Sequence, residues 1–380
     1  MDGPLVTLGM PVYQGGEDFR DALHQVTQQS YRNIEVLISV DNGDTESAEI
    51  ARPFLADPRF RLEVQPTRLG WDGNTDWTMR QRRGAFFVYL QHDDRLSPTY
   101  LADLVAAAHR HPDASVLFSA MLDTGSTAEV LSQMPSLTGE PVARALAHVE
   151  RMDALALRGL IRGTALDRTR GLASGMPNRF GVEHRLLTEL ALAGEMRFVE
   201  GPMYYKHMHG RNLHLKYFTW PEERRRSAWT WLCAALAEVV IEACATPAER
   251  TRALHAVLDR FLTVRGSANW LRGPKRWLYA QDNALLRALR SGIDRARRSG
   301  GIDEWVRAHA SYTFCRIDMR DHRSRAALLA QVFAELRDRG LDFAAMFDAT
   351  REEVERRAAS ALGIRHPQVS GGVWATPQSC

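Results

Sequence analysis

Lysine is scarce in this chain. Only Lys206, Lys216 and Lys275 occur among the 49 basic residues of the 380-residue sequence, so 49 − 3 = 46 are arginines. Aspartate and glutamate together also number 46, and the formal net charge is +3. Because basic and acidic side chains largely offset each other, the composition excludes a polybasic nucleic-acid-binding protein.

Cysteine and long apolar runs are also scarce. Four cysteines do not make a disulfide scaffold in a chain of this length, and no Cys-x-x-Cys or Cys/His cluster indicates a zinc site. The most apolar stretch, residues 228–245, is interrupted by Glu238 and Glu242, which favours an amphipathic helix over a membrane span. No basic segment followed by an apolar run marks a secretory signal at the N-terminus. We therefore expect a soluble, cytoplasmic protein, with peripheral contact at the inner face of the membrane left open.

The first half of the chain alternates between strand-like and helix-like patterns. With 45% hydrophobic residues the chain can bury a core, and its length indicates two domains or one large one. The alternation predicts an α/β fold with a doubly wound, mostly parallel sheet and helices on both faces. The predicted strands are residues 5–10, 34–40, 60–64, 85–90 and 115–121, and the predicted helices are residues 18–28, 46–55, 75–82 and 98–110.

Beyond residue 216 the strand patterns give way to helical periodicity. Helices are predicted over residues 228–245, 247–264, 277–298, 302–309, 324–339 and 352–362. The expected organisation is an α/β domain over residues 1–215, an all-helical domain over residues 216–365 and a flexible tail over residues 366–380. The oligomeric state is not predicted.

Polar loops follow three of the predicted strands. They are residues 11–16, the turn that begins at Asp41, and Gln91-His92-Asp93-Asp94. Carboxyl ends of parallel strands meet at one edge of a sheet, where ligands bind. Adjacent carboxylates there favour a divalent cation, Mn²⁺ or Mg²⁺, which would in turn hold a diphosphate. The same acids are also typical of helix caps and turns, and these alternatives stay open.

Six segments, taken together, resemble a family 2 glycosyltransferase with the GT-A fold. In order over about residues 4–215 they are PVY, IEVLISVDNGDT, LGWDGNTDW, YLQHDD, GVEHRLL…AG and YYKHMHGRNLH. The resemblance implies an inverting, metal-dependent transfer of a sugar from a nucleoside diphosphate sugar, with UDP expected, to a hydroxyl of a carbohydrate or glycolipid acceptor. The alternatives are a degenerate nucleotide-sugar-binding protein and a sugar-phosphate nucleotidyltransferase. The latter expects a basic loop after the first strand, where this chain has no Arg or Lys.

The resemblance also implies which residues bind the donor. Pro11 and Tyr13 would flank the nucleotide base, and Asp41 would hydrogen-bond it. Asp72 and Asn74 belong to the segment expected beneath the donor. Asp72 would meet donor-sugar hydroxyls there, with a surface turn acid as the alternative.

The metal site is expected at the D-x-D position of the family. Asp93 matches the last acid of that motif, which binds the metal. Gln91 replaces the first acid, and as a neutral amide it would hydrogen-bond a ribose or donor-sugar hydroxyl. Asp94 is expected to compensate for the missing charge as a metal ligand.

Glu183 is the candidate general base, because it stands in the place of the family's Glu-Asp pair. Eleven residues separate it from Gly194, as in the family. One carboxylate that deprotonates an incoming hydroxyl suits this chemistry. The alternatives are a first-turn helix acid and the neighbouring His184 as base.

The histidine-rich segment, residues 206–214, resembles the family's basic loop that closes over the diphosphate. Lys206 and Arg211 would contact the phosphates, and His209 would complete the metal shell. An exposed polar loop is the alternative.

Overall fold

The computed structural model describes residues 3–124, 130–172, 179–207, 220–263, 322–341 and 344–361. Strands β1 to β9 span Val6–Val12, Ile34–Val40, Phe60–Val64, Phe86–Tyr89, Arg95–Leu96, Ala114–Thr124, Val130–Ser132, Leu160–Arg162 and Glu195–His207. Helices α1 to α11 span Gly16–Thr27, Thr45–Ala51, Gly70–Arg80, Tyr100–Arg110, Pro141–Arg151, Gly163–Leu166, Val182–Ala193, Glu222–Glu242, Pro247–Thr263, His322–Asp338 and Ala344–Ala361. Single 3₁₀ turns occupy Arg52–Ala56 and Leu155–Arg158. The helices predicted over residues 277–298 and 302–309, and the tail over residues 366–380, lie outside the described residues.

All nine strands form one mixed sheet in the order β3-β2-β1-β4-β8-β6-β9-β5, with β7 paired to β6. Strands β1 to β4 run parallel to one another, and β8 is antiparallel to both β4 and β6. Since β9 is parallel to β6, six strands share one direction. The expected α/β fold with a mostly parallel sheet is confirmed. The ends of β1, β2, β4, β6 and β9 define one side of the sheet, which we call the carboxyl edge.

The central strands form because their residues can be buried on both faces. Every residue of β1 and β2 is buried, as expected for continuous apolar runs inside an α/β sheet. Pro11 is tolerated in β1 because β4 pairs with β1 only as far as Gly9, so the N–H that proline lacks has no ladder partner to lose.

Strand β9 is the longest strand in the described part of the chain, and the sequence patterns did not reveal it. It pairs with β6 over most of its length, but the register shifts twice, and Gly201 and Pro202 interrupt its apolar pattern. The prediction of a loop at Lys206 is therefore wrong, because Lys206 and His207 end this strand. Residues 208–219, which include His209 and Arg211, lie outside the described residues.

A buried ion network joins the α/β part to the helical region. Glu238 on α8 contacts Arg170 at 3.0 Å, Arg339 at 2.7 Å and Arg185 on α7 at 3.9 Å. The side chains of Glu238 and Arg185 are buried, whereas Arg170 is exposed and also pairs with Glu242. Glu238 is thus the shared counter-ion of three guanidinium groups.

No helix in the described part of the chain is long and apolar enough to cross a bilayer.

Removing this shared counter-ion should destabilise the protein strongly. We expect Glu238→Ala to lower the free energy of unfolding by about 3 kcal/mol, because three guanidinium groups lose their shared, buried counter-ion. The matched control is Glu242→Ala, which removes a pair with the exposed Arg170 and should cost less than about 1 kcal/mol. Urea unfolding of the purified variants measures both values, and equal losses would contradict the role assigned to Glu238.

Candidate active site

The loop after β1 is held by the start of α2. The Gln14 N–H donates to Asp44 Oδ2 at 2.6 Å, and the Gly15 N–H donates to Ser47 Oγ at 3.0 Å. The half-buried Tyr13 lies beneath Arg68, whose guanidinium carbon is 3.8 Å from the ring centroid and whose Nη1 donates to Tyr13 Oη at 2.9 Å. A nucleotide base that stacked on this face of Tyr13 would displace Arg68.

Asp41, at the end of β2, fixes the start of α3. Its Oδ1 accepts the Leu69 N–H at 2.6 Å, and its Oδ2 accepts the Gly70 N–H at 2.8 Å. Gly70 has a positive φ of 74°, a conformation that favours glycine. The carboxylate that the sequence assigned to the base therefore also caps a helix, as an acceptor for N–H groups that the helix itself leaves unpaired.

We expect Asp41→Ala to lower the free energy of unfolding by about 1–2 kcal/mol, because both capping acceptors are lost. Asp41→Asn keeps one oxygen acceptor and should lose less. Chemical denaturation without any nucleotide measures this contribution separately from donor binding. Unchanged unfolding in Asp41→Ala would contradict the capping role.

The two α3 residues assigned to the donor have different surroundings. Asn74 is buried, its Nδ2 donates to the Ser39 carbonyl at 2.9 Å, and its Oδ1 accepts from Ser39 Oγ at 2.5 Å. These two hydrogen bonds connect α3 to β2, so we leave Asn74 out of the proposed donor site.

Asp72 is also buried and forms an ion pair with Arg179 at 3.0 Å. The alternative of a surface turn acid at Asp72 is wrong, because the residue is helical and buried.

Asp94 ties the loop after β4 to the end of β9. It is fully buried, its Oδ2 accepts from Tyr204 Oη at 2.8 Å, and its Oδ1 accepts from the His207 N–H at 2.9 Å. Burial raises the pKa of this carboxyl, and the positive charge of Lys206 opposes the rise. Since both carboxylate oxygens of Asp94 already accept hydrogen bonds from residues of β9, we do not propose Asp94 as a metal ligand.

Gln91 brings two cations together at the same edge. Its Oε1 accepts from Lys206 Nζ at 3.0 Å and from Arg158 Nη2 at 3.2 Å. Lys206 and Gln91 were both expected near the donor, and the structure places them in contact. Arg158 was not anticipated, because it ends a 3₁₀ turn within a stretch, residues 122–179, that shows no recognisable motif. The place of Arg158 in the site is evident only from its contacts with residues that are distant in the sequence.

Glu183 lies in the first turn of α7. Gly181 precedes this helix with a φ of 70°, and Leu232 of α8 packs where a side chain at 181 would begin. Glu183 Oε2 is buried and has no hydrogen-bond partner among the described residues. Burial raises the pKa of this carboxyl, while its own backbone N–H and the charge of Arg158 oppose the rise. A carboxyl with a raised pKa and an unused oxygen is suited to accept a proton. The neighbouring His184 is buried, and burial lowers its pKa well below the usual range.

The sequence of this edge matches a known family. The model of "Glycosyl transferase family 2" aligns with residues 7–155, which include the loops after β1, β2 and β4. This part of the chain is similar to glycosyl transferase family 2. Glu183, Lys206 and the helical region lie outside the aligned part of the chain.

Curated relatives align with the same N-terminal part. The protein y4gI of Sinorhizobium fredii is 30% identical over 121 residues, which are 31% of this chain and 13% of the relative. A glycosyltransferase of Rickettsia bellii is 31% identical over 99 residues, 25% of this chain and 14% of the relative. One of Haemophilus influenzae is 32% identical over 96 residues, 25% of this chain and 38% of the relative. The chain thus spans 13–38% of the length of these relatives.

Solved structures resemble a larger part of the chain. S. aureus TarS 1–349 in complex with UDP has a TM-score of 0.55 at 13% identity, covering 94% of this chain and 90% of that chain. The complex with UDP-GlcNAc has a TM-score of 0.56 at 13% identity, covering 92% of each chain. At this identity the likeness shows the fold, including the helical region that follows the family 2 domain.

Asp93 is the acid that the resemblance assigned to a metal. It is buried at the carboxyl edge, and so is Asp123 at the end of β6. Carboxylate oxygens are suitable ligands for a hard divalent cation. The negative charges of Asp93 and Asp123 at this edge, beside Arg158 and Lys206, are therefore compatible with such a cation. Within the described ranges no group of three His, Cys, Asp or Glu could hold a metal by itself. His209, the other expected ligand, lies outside those ranges.

Proposed function

We propose that this chain is an inverting, metal-dependent glycosyltransferase. It would move a sugar from a nucleoside diphosphate sugar to a hydroxyl of a carbohydrate or glycolipid acceptor. The observation that carries the proposal is the buried Oε2 of Glu183, to which no residue in the described part of the chain donates a hydrogen bond. Arg158 links this carboxyl to the motif loop, because it hydrogen-bonds Gln91 and its charge acts on Glu183. The family match over residues 7–155 supports the reaction class.

The proposed chemistry is a single displacement. Glu183 takes the proton of the acceptor hydroxyl as its oxygen bonds to the anomeric carbon, and the bond from that carbon to the diphosphate oxygen breaks. The attack comes from the face opposite the leaving group, so the configuration inverts. The sugar leaves with the acceptor, and the nucleoside diphosphate departs.

Other residues would bind the donor. Pro11, Tyr13 and Asp41 are proposed for the base, and Asp72 for the sugar. A divalent cation, Mn²⁺ or Mg²⁺, held by Asp93 and His209 would neutralise charge on the diphosphate. UDP is the proposed nucleotide, which the likeness to UDP-bound TarS supports.

Two cations complete the donor proposal. Arg211 and Lys206 would face the diphosphate, where charged donors form strong hydrogen bonds with phosphate oxygens. Lys206 can do so from the end of β9, next to Gln91. A cytoplasmic location and peripheral membrane contact stay predictions.

The experiment is an assay with a panel of nucleotide sugars and Mn²⁺ that follows nucleoside diphosphate release, with and without a mixture of candidate acceptor sugars. Release that depends on the sugar nucleotide supports the proposal. Pyrophosphate release from a nucleoside triphosphate and a sugar phosphate would instead identify a nucleotidyltransferase. Binding of donor without release would identify a degenerate binding protein, a second candidate favoured by the neutral Gln91 in the motif.

A further inference from the structure

Trp71 is held at the carboxyl edge by a hydrogen bond to the sheet. It is the second residue of α3, and its Nε1 donates to Tyr89 Oη at 2.6 Å. Tyr89 is the last residue of β4 and is buried, whereas Trp71 is half-buried. The N–H is the one polar group of an indole, and Tyr89 already accepts it. The Trp71 side chain therefore offers only aromatic surface to a molecule that contacts it.

The indole lies between two parts of the proposed donor site. Gly70 donates its N–H to Asp41 at the end of β2, at 2.8 Å, and the next residue, Trp71, reaches the end of β4. Strand β1 separates β2 from β4 in the sheet. Asp93, the proposed metal ligand, follows Tyr89 by four residues. The start of α3 thus spans the edge from the proposed nucleotide-base subsite to the loop of the proposed metal ligand, as a nucleoside diphosphate sugar would.

The start of α3 also contacts the segment that leads to the proposed general base. Asp72 pairs with Arg179 at 3.0 Å, and the Arg179 guanidinium packs against Gly70, where a side chain would begin. Arg179 stands four residues before Glu183. In the proposed reaction the anomeric carbon lies between the diphosphate and the Glu183 carboxyl. The sugar that carries this carbon is therefore expected at the first turn of α3, which contains Trp71.

We propose that Trp71 is the platform on which the sugar ring of the donor lies, and that Tyr89 is the positioning residue that holds the indole. The C–H face of a pyranose ring is apolar, so an aromatic surface covers it without leaving a polar group unpaired. The ring hydroxyls then point away from the indole, and Asp72 is the neighbour proposed to meet them. The inference rests on the proposed function and names the residue that recognises the sugar separately from the nucleotide.

The platform predicts a loss that depends on the sugar. Trp71→Leu should weaken binding of a UDP-sugar by about tenfold and binding of UDP by less than about threefold, because UDP has no ring to lie on the indole. Trp71→Phe keeps an aromatic face and should lose less than Trp71→Leu. Tyr89→Phe removes the acceptor of the indole N–H, so it should weaken the UDP-sugar by about threefold and leave UDP unchanged.

The test titrates UDP, UDP-glucose, UDP-galactose and UDP-GlcNAc, each with Mn²⁺, into wild type and the variants. The matched control is Trp77→Leu, because Trp77 is a half-buried tryptophan on the same helix, about 9 Å further along its axis. It should leave all affinities unchanged. Melting temperatures show whether Trp71→Leu folds, and Trp71→Phe and Tyr89→Phe test the platform if it does not. Equal losses for UDP and the UDP-sugars would identify a structural role and overturn the proposal, as would unchanged binding of the UDP-sugars.

A failure of the proposed function gives a different result. If wild type does not bind UDP, the nucleotide site is absent and both proposals fall. If wild type binds UDP and the UDP-sugars but releases no nucleoside diphosphate, the transferase proposal fails and the titrations still decide the platform. If wild type binds UDP but none of the three UDP-sugars, the platform is overturned.

Discussion

Glu183→Gln should lower the turnover of sugar transfer by about 10²- to 10⁴-fold, the usual contribution of a general base. Glutamine has the same shape as glutamate but cannot accept the proton of the acceptor hydroxyl. Because Glu183 is proposed to act on the acceptor, UDP affinity should stay close to that of wild type. Nucleoside diphosphate release and a UDP titration measure the two quantities on the same sample.

The matched control for this variant is Glu189→Gln. Glu189 lies on the same helix, and burial raises the pKa of its carboxyl as well. It accepts the Arg170 N–H at 3.0 Å and contacts Arg185, so it belongs to the ion network and not to the carboxyl edge. Glu189→Gln should therefore lose stability but keep turnover. Near-normal turnover in Glu183→Gln would remove Glu183 as the base.

Two adjacent aspartates should give opposite results in donor binding. Asp93→Asn should weaken Mn²⁺-dependent UDP binding by about 100-fold, because a neutral amide replaces the proposed carboxylate ligand of a divalent cation. Asp94→Asn should bind UDP within about tenfold of wild type. An asparagine there can accept the His207 N–H through its oxygen and donate to Tyr204 Oη through its nitrogen, which replaces both bonds of the aspartate.

UDP titrations with Mn²⁺ and with a chelator separate the metal-dependent part of binding in each variant. Melting temperatures of the same samples show whether either substitution disturbs the fold. If Asp94→Asn loses Mn²⁺-dependent binding and Asp93→Asn keeps it, the metal ligand is Asp94 and the assignment is reversed.

Local sequence was sufficient for the four strands β1 to β4. The strands at residues 34–40 and 60–64 were predicted with the bounds that the structure has, and β1 and β4 within two residues at each end. Strands β1, β2 and β4 are buried at every residue, so their continuous apolar pattern alone identifies them. By contrast, β9 depends on pairing with β6, which lies far away in sequence, and its glycine, proline and bulge hide its periodicity.

The sequence predicted residues of the candidate site only where they lie in a motif that resembles the family. Gln91, Asp93 and Glu183 could be selected from segments that resemble the family. Arg158 could not, since an arginine in a short turn has no local signature. The resemblance placed Asp93 in the D-x-D motif and added Asp94 as a second metal ligand. The hydrogen bonds that Asp94 accepts from Tyr204 and His207 could not be predicted, because they come from a strand distant in the sequence.

The ion network at Glu238 bears on how this protein can be divided. Arg185 lies two residues after Glu183, and its shared counter-ion comes from α8, beyond the proposed boundary near residue 216. A fragment that ends at residue 215 would keep every motif that resembles the family. It would also leave a buried guanidinium beside the proposed base with Glu189 as its remaining anionic contact. The helical region therefore cannot be exchanged as an independent module, and the smallest unit with an intact α7 includes α8.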